Sequence, residues 1–348
     1  MACGKLIFEY FPEAAAASMP PAARPNIMTM ASRTASIFFI LFIVVPPIVI
    51  RYNLFSHSAL KKSNKDMASL FEKSCYNGCN TIWRRRTMAQ RIENIPFAKL
   101  INTRDLGGLP AKDGKAIRPQ TFLRAASLYQ LVPSDGEKLV RDYKVAYDID
   151  LRIDKELSRK PDAPIPGVEY RHYQLREDVM ENFERKRGET VGKMMTRMPT
   201  MAQLYLNMVS KENSLEALRN IFGLFMEDVV PGEKAALFHC SEGKDRTGIV
   251  AALIEDLVGV PRDLMLEDYM LSNDAFEKRN NWYYRGTRLI MNKEAADSFR
   301  DMYRANEYML TDMLDYLEKT YGGTEGFFRE ALGFSASDVK AFKQKILQ

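Results

Sequence analysis

Regular alternation of apolar and polar residues begins only in the second, longer part of this 348-residue chain. Residues 145–152 alternate in part and predict a β-strand, and residues 168–175 predict a second strand. Residues 235–238 follow a break at Pro231 and Gly232 and are uniformly apolar, which is typical of a buried strand. These runs predict a sheet in the interior of the fold.

Between and after these strands, apolar residues recur with the spacing of amphipathic helices. The longest such run, residues 199–227, carries a helical spacing throughout. A further helix is predicted to end over residues 138–143. Others are predicted to span residues 247–258, 262–272, 295–321 and 337–347, and the last of these begins with a serine cap. Strands that alternate with helices predict a layered α/β domain.

Residues 1–87 have a different character and are predicted to be an N-terminal extension. Residues 36–50 are uniformly apolar, but a spanning helix needs roughly 17–25 residues, and a proline pair would kink it. They are interpreted as a membrane anchor, a poor signal peptide or translated sequence outside the natural product. Three arginines just before Met88 favour the last interpretation, because their codons can resemble a bacterial ribosome-binding site. The domain is then predicted to span residues 88–348.

Location depends on which of these interpretations holds. A start at Met88 predicts a cytoplasmic protein. An anchor at residues 36–50 predicts membrane attachment, and the basic residues that follow it would keep the domain on the cytoplasmic side.

The amino-acid composition limits the classes of ligand that the chain is expected to bind. The chain is 46% hydrophobic and 27% charged with a net charge of +5, which is ordinary for a globular protein and suits an anionic ligand. The positive charge is too small and too evenly spread to predict nucleic-acid binding. Four cysteines and three histidines lack the spacing of a metal site or of a disulfide framework. No metal and no cofactor are predicted.

The segment between the strand at 235–238 and the helix at 247–258 carries most of the candidate chemistry. The unpaired N–H groups and dipole of a helix N-terminus bind anions, and glycines let the preceding loop curl with its amides inward. Arg246, six residues beyond Cys240, can grip two phosphate oxygens. The amides, the helix dipole and Arg246 favour the Cys240 thiolate, which can attack phosphorus in line. The hydroxyl of Thr247 is expected to donate a hydrogen bond to that thiolate.

The string HCSEGKDRTG, residues 239–248, resembles the signature of cysteine-dependent phosphatases. It is closest to that of the bacterial, lipid-active tyrosine phosphatases with the loop HCxxGKDRTG. The resemblance extends over about residues 95–348, through NTRDLGG at 102–108, FLRAASL at 122–128, DLR at 150–152 with Glu156, DYMLSN at 268–273 and the C-terminal segments at 321–322 and 332–335. It implies the cysteine-phosphatase fold, a central mixed but largely parallel sheet flanked by helices, with an α-helical C-terminal part.

The resemblance also implies site residues. Cys240 would be the nucleophile and Arg246 the phosphate ligand, with substrate contacts expected from Ser241, Glu242, Gly243, Lys244, Thr247, Arg104 and Asp105. Arg104 and Asp105 either line the pocket or brace the loop. Lys244 either reads additional phosphates or raises the potential of the site, and Glu242 opposes it at the mouth.

The general acid has two candidates, because the chain has no Trp-Pro-Asp sequence. Asp245 lies inside the loop, as in the lipid phosphatases with a similar loop, and is favoured over Asp178. His239 is interpreted as a structural residue that orients the loop, and His172 as a core residue. Residues 194–201 are interpreted as a cover over the site or as a plain connection.

The predicted function is hydrolysis of phosphotyrosine through a phosphocysteine intermediate. Phosphoserine, phosphothreonine and phosphoinositides are further candidate substrates. The alternatives are a phosphoinositide phosphatase and a phosphate-binding module without catalysis.

Overall fold

The computed structural model describes residues 95–175, 199–290 and 293–348, which all belong to one structural unit. The predicted extension 1–87, the alternative acid Asp178 and most of the predicted cover at 194–201 lie outside the described residues. Within the described residues, no helix combines the length and apolar character needed to cross a membrane. The predicted cytoplasmic location stays a prediction.

A mixed five-stranded sheet forms the centre of the fold, with the strand order β1-β2-β5-β3-β4. The strands are β1 (Arg104–Asp105), β2 (Phe122–Ala125), β3 (Val145–Asp150), β4 (Glu169–His172) and β5 (Ala235–His239). β1 pairs antiparallel with β2, and the other three pairings are parallel. The central strand β5 is buried along its whole length, as a strand covered by helices on both faces must be.

Eleven α-helices surround this sheet within the described residues. They are α1 (Pro133–Tyr143), α2 (Asp154–Leu157), α3 (Met201–Met208), α4 (Glu212–Glu227), α5 (Asp245–Val258), α6 (Arg262–Met270), α7 (Ser272–Ile290), α8 (Lys293–Tyr303), α9 (Glu307–Tyr321), α10 (Thr324–Glu330) and α11 (Ala336–Ile346). The larger core contains buried residues of α4, α5, α9, α10 and α11, and a smaller core forms around Leu139 of α1. The predicted α/β class, with a helical C-terminal part, is confirmed.

The helical spacing over residues 199–227 is divided between two helices, α3 and α4. The Ser210 hydroxyl donates a hydrogen bond to the carbonyl of Leu206 at 2.7 Å, one turn back. Such a bond competes with the backbone ladder, and the preceding Val209 leaves helical geometry at ψ 8°. The hydrophobic spacing continues across the break, so the pattern alone did not reveal it.

The predicted helix over residues 295–321 is also two helices, α8 and α9. The side-chain amide of Asn273 donates to the Ala305 carbonyl at 2.9 Å and accepts from the Ala305 N–H at 2.9 Å. Both backbone groups of Ala305 are thereby taken from the helix by a residue on α7. The break is a tertiary contact that no local pattern encodes.

Other boundaries shift by a few residues. The predicted helix at 262–272 ends at Met270. The helix α7 was not predicted, and its large apolar residues include the exposed Trp282 and Leu289. The strands β1 and β2 were identified only as motif segments. The serine cap of α11 is Ser335, whose hydroxyl accepts from the Asp338 N–H.

Candidate active site

The loop of residues 240–244 joins the end of β5 to the N-terminus of α5. Cys240, buried to 3% exposure, follows β5 directly, and α5 begins at Asp245, two residues earlier than predicted. Asp245 and Arg246 therefore lie in the first helical turn, where the unpaired amides and the helix dipole attract an anion. Gly243 has a φ of +65°, and a Cβ there would lie 2.3 Å from the Ala125 carbonyl oxygen, so the tight loop requires glycine.

The carbonyl groups of this loop are held from behind. The Asn102 side-chain amide donates to the carbonyls of Glu242 at 2.9 Å and Gly243 at 3.0 Å, and Arg124 also donates to Gly243 at 3.0 Å. The N–H and C=O of a trans peptide point in opposite directions. The N–H groups of Gly243 and Lys244 therefore point to the other side of the loop, as an anion-binding loop requires.

A buried ion-pair cluster holds the residues behind the loop. Asp268 of α6 accepts from Arg104 Nε at 2.6 Å and from Arg124 Nη1 at 2.5 Å, and all three side chains are buried. Burial raises the pKa of Asp268, but the two guanidinium groups lower it by more than that. The pKa therefore lies below its usual value. These contacts favour the bracing role for Arg104 over the pocket-lining role.

The side chain of Asp105 also binds backbone groups of the fold. Its carboxylate accepts from the Gly107 N–H at 2.8 Å and from the Gln120 N–H at 2.7 Å. It thereby joins the turn after β1 to the chain that enters β2. These contacts favour the bracing role of Asp105, and its expected substrate contact stays a prediction.

Arg246 is fixed by a two-point ion pair with Glu156 of α2. The distances are 2.6 Å from Nη1 to Oε2 and 2.8 Å from Nη2 to Oε1. The Ser241 hydroxyl also donates to Glu156 Oε1 at 2.5 Å. Burial raises the pKa of Glu156, but Arg246 and Ser241 outweigh it and hold this pKa at about 2. Glu156 is charged at neutral pH and orients both Arg246 and Ser241.

Asp245 lies between a tyrosine and a lysine. Its Oδ1 accepts from the Tyr205 hydroxyl at 2.8 Å, and its Oδ2 lies 3.4 Å from Lys244 Nζ. Lys244 is itself buried and donates to the Met302 carbonyl at 3.0 Å. The Lys244 ammonium is thus engaged by the backbone in this conformation, and its expected contact with additional substrate phosphates stays a prediction. Tyr205 was missed in the sequence, where it reads as one more apolar position of a helix.

A model of the tyrosine phosphatase family matches residues 95–348. The chain belongs to this family. It is 28% identical over 245 residues to a tyrosine-protein phosphatase of Nostoc commune, covering 69% of this chain and 78% of that relative. It is 24% identical over 272 residues to the triple specificity protein phosphatase PtpB of Mycobacterium tuberculosis, covering 68% and 94%.

The predicted membership of the cysteine-dependent phosphatases and the predicted enzyme class, a protein-tyrosine phosphatase, are confirmed by this family match. A solved structure of TpbA from P. aeruginosa aligns with a TM-score of 0.28 at 18% identity, over 51% of this chain and 77% of that chain.

At the mouth of the phosphatase loop, Glu242 is paired with α7. Its carboxylate lies 2.7 Å from a guanidinium nitrogen of Arg279, which in turn stacks over the ring of Phe276 at 4.2 Å. The negative charge that opposes substrate binding is thus neutralised by a cation from a helix that was not predicted. The expected position of Glu242 at the mouth agrees with its partial exposure.

Thr247 differs from the expectation. Its hydroxyl oxygen is buried and has no hydrogen-bond partner among the described residues, so the expected bond to the Cys240 sulfur is not formed here. A buried hydroxyl without a partner is costly, and a charged group in the loop would satisfy it.

His239 has the structural position that was predicted. Its Nε2 lies 3.1 Å from Asp148 Oδ1 and 3.3 Å from Asp162 Oδ2, beneath the loop. Burial lowers the pKa of His239, but Asp148 and the neighbouring carboxylates outweigh it and raise this pKa to about 9. His172 is half-buried on the edge strand β4, with its Nε2 2.7 Å from the Arg152 carbonyl oxygen, so its interpretation as a core residue is wrong.

Asp148, Asp162 and His239 are also the group of potential metal ligands found among the described residues, with donor atoms within 4.8 Å of one another. Arg152 already binds Asp162 Oδ2 at 2.5 Å. A protonated imidazole also has no lone pair for a metal. The cluster is therefore better described as a buried set of ion pairs that holds His239 just before Cys240.

We expect Glu156→Gln to reduce kcat/KM about tenfold, because Arg246 loses a charge-assisted, two-point partner. The folded-state pKa of about 2 lies below the unfolded value of 4.5, so the carboxylate stabilises the fold above pH 4.5 and loses this effect as the pH falls toward 2. The variant should therefore lose less stability than the wild type over this range. Steady-state kinetics measures the change in kcat/KM. Urea unfolding between about pH 2 and 5 measures the change in the free energy of unfolding.

The matched control for this variant is Asp154→Asn on the same short helix, whose exposed carboxylate is 4.0 Å from His172. We expect wild-type kinetics from it. Wild-type kcat/KM in Glu156→Gln would mean that Arg246 needs no orienting partner.

Proposed function

We propose that this enzyme hydrolyses phosphotyrosine through a phosphocysteine intermediate on Cys240. The observation that carries the proposal is the position of Arg246, which Glu156 holds through two hydrogen bonds. Arg246 lies beside the loop, whose N–H groups point away from the side on which Asn102 binds the loop carbonyls. A fixed guanidinium and convergent amides match the oxygens of a phosphoryl group. Cys240, at the base of the same loop, can then approach phosphorus opposite the leaving oxygen.

The reaction has two steps. The Cys240 thiolate attacks phosphorus, the P–S bond forms, and the P–O bond to the tyrosine oxygen breaks. Asp245 gives its proton to that oxygen. In the second step Asp245, now a carboxylate, accepts a proton from water, and the water attacks phosphorus. The P–S bond breaks, and inorganic phosphate and the Cys240 thiolate are released.

Membership of the narrower group with the HCxxGKDRTG loop is part of this proposal and is supported by residues 239–248. The triple specificity named for the M. tuberculosis relative supports phosphoserine and phosphothreonine as additional substrates. Phosphoinositides rank below phosphotyrosine, because the Lys244 ammonium is engaged by the Met302 carbonyl and Arg279 by Glu242. Neither cation is presented to a second phosphate group.

The test is rapid acid quench with a ³²P-labelled phosphotyrosine peptide. We expect a burst of protein-bound label with a stoichiometry approaching one per chain, followed by steady release of phosphate. The same assay with phosphoserine peptides and with phosphoinositide vesicles ranks the substrates by kcat/KM. Label from vesicles but not from peptides would favour a phosphoinositide phosphatase. Phosphate binding without label or turnover would favour the non-catalytic module.

A further inference from the structure

Two buried tyrosine hydroxyls form a chain that ends on Asp245. The Tyr205 hydroxyl donates to Asp245 Oδ1 at 2.8 Å, and the hydroxyl oxygens of Tyr205 and Tyr269 are 2.6 Å apart. The two rings pack edge to face, with centroids 6.3 Å apart. Tyr205 comes from α3 and Tyr269 from α6, so two separate helices are joined to the first turn of α5.

The direction of these hydrogen bonds follows from the number of protons. A carboxylate only accepts, so the single proton of Tyr205 is given to Asp245, and its oxygen accepts from Tyr269. Burial, reinforced by the charge of Asp245, raises the pKa of Tyr205 well above its usual value. Burial also raises the pKa of Tyr269. Both phenols therefore keep their protons at neutral pH, and Tyr205 remains a donor.

A permanent donor distinguishes the two oxygens of Asp245. Oδ1 accepts a hydrogen bond from the Tyr205 hydroxyl, so it cannot carry a proton on the side that faces Tyr205. Oδ2 is then the oxygen that holds and transfers the proton. Within the part of the chain that the structure describes, this carboxyl group meets Tyr205 from α3, Tyr269 behind it from α6, and Lys244, whose ammonium lies 3.4 Å from Oδ2.

We propose that Tyr205 is a positioning residue that fixes the Asp245 carboxyl group for proton transfer from Oδ2 to the leaving oxygen. This inference rests on the proposed role of Asp245 as the general acid. Tyr205 acts through Asp245 and does not touch the reacting atoms. A misplaced acid protonates a poor leaving group less effectively, whereas a good leaving group departs with little protonation.

The test begins with Tyr205→Phe, which removes the hydroxyl and keeps the buried ring. Aryl phosphates whose leaving phenols span a wide pKa range are the substrates. We expect kcat/KM to fall about tenfold for phenyl phosphate and less than about twofold for p-nitrophenyl phosphate. The basic limb of the pH profile should move to higher pH, because the carboxylate loses a donor that favours its charged form.

Two further tyrosine variants serve as references. Tyr269→Phe removes only the outer hydroxyl, and we expect the same pattern at a smaller size, about twofold for phenyl phosphate. Tyr316→Phe removes a hydroxyl from a ring that packs against Tyr321 on α9 and should leave both kinetics and pH profile unchanged. Thermal unfolding midpoints of all variants report any loss of folding.

A double-mutant cycle with Asp245→Asn separates the inference from the assignment of the acid. In the Asp245→Asn background, removing the Tyr205 hydroxyl should not change the leaving-group dependence further. If Asp245→Asn alone leaves that dependence unchanged, the acid assignment and this inference both fail, while a Cys240 phosphoenzyme would still stand. If Asp245→Asn steepens the dependence but Tyr205→Phe slows good and poor leaving groups equally, or neither, only this inference is overturned.

Discussion

Cys240→Ser is expected to abolish turnover and to leave phosphate binding intact. A serine hydroxyl is ionised far less readily than a thiol, so it is a much weaker nucleophile at neutral pH. The loss should be on the order of 10⁶-fold in kcat, as expected when an activated nucleophile is removed. The Arg246–Glu156 ion pair and the loop amides remain, so the affinity for inorganic phosphate should stay within about threefold of the wild-type value.

Turnover of p-nitrophenyl phosphate and calorimetric titration with inorganic phosphate measure these two quantities. Cys75→Ser is the matched control, because it makes the same change outside residues 95–348, which match the family. Its kinetics should equal those of the wild type. Hydrolysis by Cys240→Ser near the wild-type rate would overturn the phosphocysteine mechanism. Loss of phosphate binding together with a lower unfolding temperature would indicate a structural defect instead.

Asp245→Asn has the second largest expected effect. The amide keeps the size of the side chain and can still accept from Tyr205, but it has no proton to give. We expect kcat to fall about 10²–10⁴-fold for poor leaving groups such as phenols of high pKa, and far less for p-nitrophenol. The basic limb of the pH profile for phosphoryl transfer should become flat. Pre-steady-state kinetics across a series of aryl phosphates measures this step.

Asp178→Asn decides between the two candidate acids. If Asp245 is the acid, this variant should change neither the leaving-group dependence nor the basic limb. The reverse pattern, with a steep dependence in Asp178→Asn and a wild-type one in Asp245→Asn, would assign the acid to the separate segment. Asp245 would then have only a structural role.

The strand, loop and helix around Cys240 were predictable because their signals are contiguous. An apolar run that ends at His239, a glycine-rich loop and a second apolar run define β5 and α5 within about twenty residues. Cys240 and Arg246 both lie where the loop joins β5 to α5, so the distance between them follows from local geometry alone. The resemblance of the surrounding motifs also identified Arg104 and Glu156 as notable, though without fixing what they contact.

The roles of the remaining residues depend on partners far away in the chain. Arg104 meets Asp268 across 164 positions, and Asn273 ends α8 by binding Ala305 across 32. Tyr205 reaches Asp245 across 40 positions. By itself, the sequence determined the α/β fold class, and it indicated Cys240 as the nucleophile and Arg246 as the phosphate ligand that we propose, because these indications come from residue types at short, fixed spacing. The tertiary structure alone decided which charged groups are paired and buried, since that depends on how distant helices pack around the loop.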